Sequence, residues 1–107
     1  MAKKKRRDSY KNQLRDFMAA EFQKTRSALK LTQAQMAAEL GIDVRSYSFL
    51  ESRDYLCSTP VLLRYISKFK QIEIDSIDQD GKKATVPDVA FIQEVCRVLN
   101  SSDSRLV

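Results

Sequence analysis

The chain is 107 residues long, 43% hydrophobic and 31% charged, with 19 basic and 14 acidic side chains for a formal net charge of +5. That length supports one domain, with a modest core and at most a small appendage. It contains no run of about 18 apolar residues, so no membrane-spanning helix is expected.

The basic start MAKKKRRDSY lacks the apolar stretch that completes a signal peptide, which predicts a cytoplasmic protein. Cys57 and Cys96 are too few and too far apart for a disulfide framework, and neither has a neighbour at metal-ligand spacing. Histidine is absent, which removes the commonest general base, and neither a Gly-rich phosphate loop nor a nucleophile elbow is present. The expectation is a protein with no catalytic residue, metal or cofactor. Charge is uneven along the chain. Residues 1–30 carry ten basic against three acidic residues, a net +7, while residues 31–70 stand at +1 and residues 71–107 at −3. A basic front suits a polyanion; an acidic rear suits another task.

In chain order, residues 1–8 read as a flexible basic tail containing Lys3, Lys4, Lys5, Arg6 and Arg7. Tyr10, Leu14, Phe17, Met18, Phe22, Thr25 and Leu29 then recur at helical spacing, behind Asp8 or Ser9 as a cap. A second helix over 32–40 follows. Thr32 and Gln35 make its capping box, and Leu31, Met36, Ala37 and Leu40 share a face. Gly41 supplies the positive φ that ends it. Asp43 caps a third helix over 43–51 that carries Val44, Tyr47 and Leu50 inward. Two short helices about so tight a turn form a helix-turn-helix, whose second helix commonly enters the DNA major groove.

After a polar loop from Ser52 to Cys57, Ser58-Thr59-Pro60 starts a fourth helix that buries Leu62, Leu63, Ile66 and Phe69. The stretch QIEIDSID is either a short strand or an extended segment pinned by Ile72, Ile74 and Ile77, and residues 79–83 form a turn or loop. Thr85-Val86-Pro87-Asp88 is expected to open a last helix as a capping box. Cys96 packs on the apolar face of that helix, and the tail 100–107 frays. The fold class is all-α: a compact bundle of about five helices with an extended first helix and an extra C-terminal one. The helix-turn-helix unit spans 9–70, and 71–107 is an extension with a loop and a final helix.

Arg26, Leu31-Thr32-Gln33, Ala37, Leu40-Gly41-Ile42, Ser48 and Glu51 fall at the spacings of the Cro and lambda-repressor type helix-turn-helix family, and Leu62-Leu63 and Tyr65 fit its fourth helix. The chain resembles that family over residues 17–69, about half its length. The resemblance implies a lambda-repressor-like fold, with Arg26 and Glu51 paired between the first and third helices. It also implies base contacts from the positions of Val44, Arg45 and Phe49, and a DNA-phosphate contact from Gln33. The sequence departs from the pattern at Lys30, Arg53 and Cys57, where Gly or Asn, Gly, and Pro respectively are usual.

Arg45 has the donors to read guanine bidentately, and Val44 and Phe49 suit thymine methyls. Ser46 and Ser48 complete the set on the same helix; Arg53 and Tyr55 sit where the backbone passes, and the basic tail adds affinity without reading sequence. Other roles stand beside these. Val44 is either a base contact or a core residue at the helix start, and Phe49 touches DNA, the local core or a protein partner. The broad apolar face of the last helix, Phe91, Ile92, Val95, Val98 and Leu99, serves either a homodimer or packing against Tyr10, Leu14 and Phe17. The expected function is a sequence-specific regulator of bacterial, phage or plasmid type, acting as a homodimer on double-stranded DNA and associated with the nucleoid when bound. The alternatives are an antitoxin, whose acidic C-terminal part grips a toxin, and a protein-interaction module that has lost DNA binding.

Overall fold

The computed structural model describes residues 10–77 and 79–102. The basic tail Lys3–Arg7, the caps Asp8 and Ser9 and the end of the C-terminal tail lie outside the described residues. Seven elements follow one another: α1 (Tyr10–Leu29), α2 (Gln33–Leu40), α3 (Val44–Glu51), α4 (Thr59–Phe69), β1 (Gln71–Ile77), β2 (Lys83–Pro87) and α5 (Val89–Ser102). Among the described residues no helix is long and apolar enough to cross a membrane.

Local chemistry sets the helix ends. Thr32 accepts from the Gln35 amide at 3.1 Å while the Gln35 side chain accepts from the Thr32 amide at 2.9 Å, closing the capping box of α2. Gly41 ends that helix at φ 74°. Its close neighbour is the Arg64 guanidinium, which donates to the Leu40 carbonyl at 3.0 Å and satisfies one of the orphan acceptors of the helix terminus. Asp43 caps α3 by accepting from the Ser46 amide at 3.1 Å, and Ser58 caps α4 with Pro60 in the first turn. These ends confirm the expected order of helices.

The core joins all five helices. Leu14, Met18 and Phe22 of α1 meet Met36, Ala37 and Leu40 of α2, Tyr47 and Leu50 of α3, Val61 and Tyr65 of α4, and Phe91 and Val98 of α5. The Phe22 ring is edge-on to Tyr65 at 5.1 Å, and Phe17 stacks on Phe91 at 6.1 Å. The face of α5 is therefore turned onto α1. Phe91 and Val98 are buried, Val95 and Leu99 pack against the core, and Ile92 is half-buried.

Several expectations need correction. The protein is mostly helical, but it is not all-α, because β1 and β2 pair as an antiparallel hairpin. The alternation in QIEIDSI found a partner in KATVP across a turn containing Gly81 at φ 81°. Thr85, Val86 and Pro87 are thus strand residues and do not open the last helix. Asp88 does that, accepting from the Ala90 amide at 3.0 Å, while its own amide donates to the Lys70 carbonyl at 2.7 Å. Ile72, Ile74 and Ile77 are exposed and pin nothing. Leu29 and Leu63 are also exposed, with Val61 and Tyr65 facing inward on α4 in place of Leu63. Cys96 is exposed, because the inward face of α5 runs through Phe91 and Val98.

Candidate nucleic-acid interface

A helix can read a groove only if it is held rigidly while its outer face stays free. The sequence provides the hold through Glu51, the last residue of α3, which is 6% exposed. Arg26 of α1 donates to both carboxylate oxygens, from Nε at 2.6 Å and from Nη2 at 3.0 Å, in the bidentate geometry that makes such pairs strong. The Tyr47 hydroxyl donates to the same carboxylate, and Gln33 Nε2 donates at 3.1 Å. Gln23 Nε2 donates to the Glu51 carbonyl at 2.7 Å, and Arg26 Nη1 to the Leu31 carbonyl at 3.1 Å. One carboxylate thus ties α1, α2 and α3 together. Burial alone would raise its pKa, but the hydrogen bonds from Arg26, Tyr47 and Gln33 outweigh burial and hold it below the usual range. Burial and the adjacent carboxylate both push the Tyr47 phenol upward, so it stays a donor.

A second clamp, centred on Glu21, carries no local sequence signal. Glu21 is buried on α1, where it accepts from the Tyr65 hydroxyl at 3.0 Å and pairs with Lys70 at 3.1 Å and Lys24 at 3.3 Å. Thr25 and Tyr65 share a further hydrogen bond of 2.6 Å, and the Lys70 ammonium lies 5.1 Å from the centre of the Phe91 ring. Burial opposes ionisation of Glu21, but its bonds with Lys70 and Tyr65 prevail and lower its pKa. An acid amid basic residues looks solvated in sequence; only the return of α4 and α5 onto α1 encloses it.

Held this way, α3 presents its first turn to solvent. Val44, expected inward, is instead 46% exposed because the inward face of α3 runs through Tyr47 and Leu50, and Arg45 is exposed with its guanidinium 5.9 Å from the Phe49 ring centre. Ser48 and Phe49 are half-buried. Ser46 is exposed, but its hydroxyl donates to Asp43 at 2.7 Å as part of the cap. Phe49 packs edge-on against exposed Tyr55 at 5.1 Å. The two rings border an open apolar cleft of about 310 Å³, lined also by Ile42, Leu50, Leu56, Cys57 and Val61. Burial pushes the Cys57 thiol up to about 11, which keeps it protonated and inert. Gln33 is half-buried at the start of α2, with its amide nitrogen engaged by Glu51. Arg53 is exposed in the loop after α3, 3.9 Å from Asp16.

Two departures from the family pattern have a common structural outcome. Lys30 adopts φ 58° and Arg53 adopts φ 69°. Both are left-handed conformations that glycine takes without strain. At both positions a non-glycine side chain is carried on a left-handed backbone.

Comparison with known proteins gives no match from family models, curated proteins or solved structures.

Proposed function

We propose that the protein is a sequence-specific DNA-binding regulator of the Cro and lambda-repressor type, acting as a homodimer that represses by occupying a short inverted repeat. One observation carries this reading: α3 is clamped from behind through Glu51 while Val44 and Arg45 stand free at its N-terminal end. Arg45 donates to guanine O6 and N7, Val44 packs on a thymine methyl, and Gln33 and Arg53 approach phosphates at the edges of the motif. Because the Gln33 side-chain amide is engaged by Glu51, a phosphate at this end of the motif is met by the free backbone amides that begin α2.

The test is sequencing of genomic fragments retained by the purified protein at about 150 mM salt, where non-specific binding is weak, with Arg45→Ala alongside. An enriched inverted repeat that the folded variant no longer retains is the expected result. Retention without a shared motif, or no retention, sinks the proposal.

A protein-interaction module is the second reading, favoured by the Phe49–Tyr55 pair at the mouth of an apolar cleft beside α3. The antitoxin reading adds a toxin to the regulator and draws on the net −3 charge of residues 71–107. Partner capture that survives Arg45→Ala and is lost on Tyr55→Ala separates the module from the regulator.

A further inference from the structure

Arg45 is the one side chain of α3 with the donors to read a base edge bidentately, and it is a long, rotamer-rich group that must be ordered to do so. Among the described residues its guanidinium has no carboxylate and no hydrogen-bond acceptor to order it. What it does meet is the Phe49 ring, with 5.9 Å between the guanidinium carbon and the ring centre. The two residues are four apart, which brings their side chains onto one strip of the helix surface. A guanidinium within about 6 Å of a ring centre is attracted by the ring quadrupole, and the planar fork of arginine suits such a surface. Phe49 is itself held. Its ring is half-buried at the mouth of the apolar cleft and packs edge-on against Tyr55 at 5.1 Å. The loop is bent to bring Tyr55 there: Arg53 takes its left-handed φ of 69°, the Asp54 amide donates to the Phe49 carbonyl at 3.0 Å, and the Ser52 hydroxyl donates to the Asp54 carboxylate at 2.7 Å. Tyr55 remains 59% exposed, and no hydrogen bond engages its hydroxyl among the described residues, so the ring contact is what its position secures.

We propose that Phe49 and Tyr55 are positioning residues for Arg45. Phe49 is the platform on which the guanidinium is ordered ahead of the base pair, and Tyr55 is the brace that fixes the platform. Neither touches a base. The Phe49 ring already has Arg45 and Tyr55 as neighbours and lines the cleft, so its apolar surface is engaged within the chain. A thymine methyl is served instead by Val44, which is 46% exposed at the N-terminal end of the helix. An arginine ordered beforehand loses less side-chain freedom on binding. The gain is selective, because the rings act only through the Arg45 donors: discrimination sharpens at the base pair that Arg45 reads and nowhere else. That gain rests on the regulator reading; the ordering of Arg45 does not. The left-handed bend at Arg53 acquires a purpose as well, since it returns Tyr55 onto the ring.

Two measurements on the full chain test this, one of them without DNA. In the free protein, 15N relaxation at Arg45 Nε reads how ordered the guanidinium is. Wild type is more ordered there than Phe49→Leu, which keeps an apolar side chain at the cleft and loses the ring. Tyr55→Leu falls between the two, and Tyr55→Phe, which keeps the ring, matches wild type. Circular dichroism is unchanged in each, and Tyr55→Leu, at an exposed residue, carries the test if Phe49→Leu does not fold. On an operator retained from the genome, Phe49→Leu loses about two- to fivefold of the discrimination at the G·C pair where Arg45→Ala also loses it. Adding Phe49→Leu to Arg45→Ala changes that pair no further. An Nε as mobile in wild type as in the ring-deleted variants overturns the proposal, with or without DNA. A Phe49→Leu variant that loses discrimination at a different base pair, or still loses it in the Arg45→Ala background, makes Phe49 a base contact and overturns it too. If no operator is retained, the regulator reading fails, and the Nε measurement still decides whether the rings order Arg45.

Discussion

The helix-turn-helix region and the hairpin use polar and apolar side chains in opposite ways. Around α3, ionised and hydroxyl groups are drawn inside: Glu51 is 6% exposed, Tyr47 fully enclosed, and Arg26 three-quarters covered. In the hairpin, isoleucines are left outside. The first arrangement costs desolvation and gains a single fixed orientation for α3. The second leaves apolar surface unburied within one chain. Rigidity is built around α3, and the exposed apolar surface lies in the hairpin.

The largest expected effect comes from breaking the clamp. Arg26→Ala leaves the Glu51 carboxylate buried without its cation, and such losses typically cost about 3–5 kcal/mol. Urea denaturation reads this directly, and Arg45→Ala in the same assay should stay within about 0.5 kcal/mol, since it is a surface change. Acid has a similar target. Glu51 and Glu21 both have folded pKa values lowered from the ordinary 4.5. The stability they confer is complete above that value and is lost as pH falls through the lowered folded values. The melting temperature should therefore hold steady at mildly acid pH and fall below about pH 4.5, with Glu51→Gln flattening part of that fall.

Gly41→Ala comes next. It places a side chain at φ 74° and displaces the Arg64 guanidinium from the end of α2, for a loss of about 1–2 kcal/mol in chemical denaturation. Arg53→Gly and Lys30→Gly should each move the other way, stabilising by up to about 1 kcal/mol by relieving left-handed strain. Unchanged or lower stability would show that the side chains at these bends compensate for it. The smallest effect belongs to the hairpin. Ile77→Ser, at a residue 69% exposed, should change monomer stability by less than about 0.5 kcal/mol; a larger loss would mean that the hairpin is already covered within one chain.

How far the sequence could be read follows from the range of the forces involved. Thr32 with Gln35, Gly41, Asp43 and Ser58 act within four residues of themselves, and each caps or ends a helix where expected. The Arg26–Glu51 pair spans 25 residues and was legible only through the family resemblance. Glu21 was not legible, because its partners Tyr65 and Lys70 are brought to it by the fold. The start of α5 is not legible locally, because Thr85-Val86-Pro87-Asp88 suits both a capped helix and the end of a strand. Pairing with Gln71–Glu73 decides it, and Asp88 alone keeps the capping role. The exposure of Cys96 and Leu63 shows the same limit: helical spacing predicts a face, and tertiary packing chooses how that face is turned.

The most direct test of the central account is the affinity of wild type and Arg45→Ala for every single-base variant of an operator retained from the genome. The account predicts that the folded mutant loses about 1–3 kcal/mol of discrimination at one G·C pair in each half-site, with preferences elsewhere unchanged. A uniform weakening across all variants would make Arg45 a backbone contact and contradict the assignment of α3 as the reading helix.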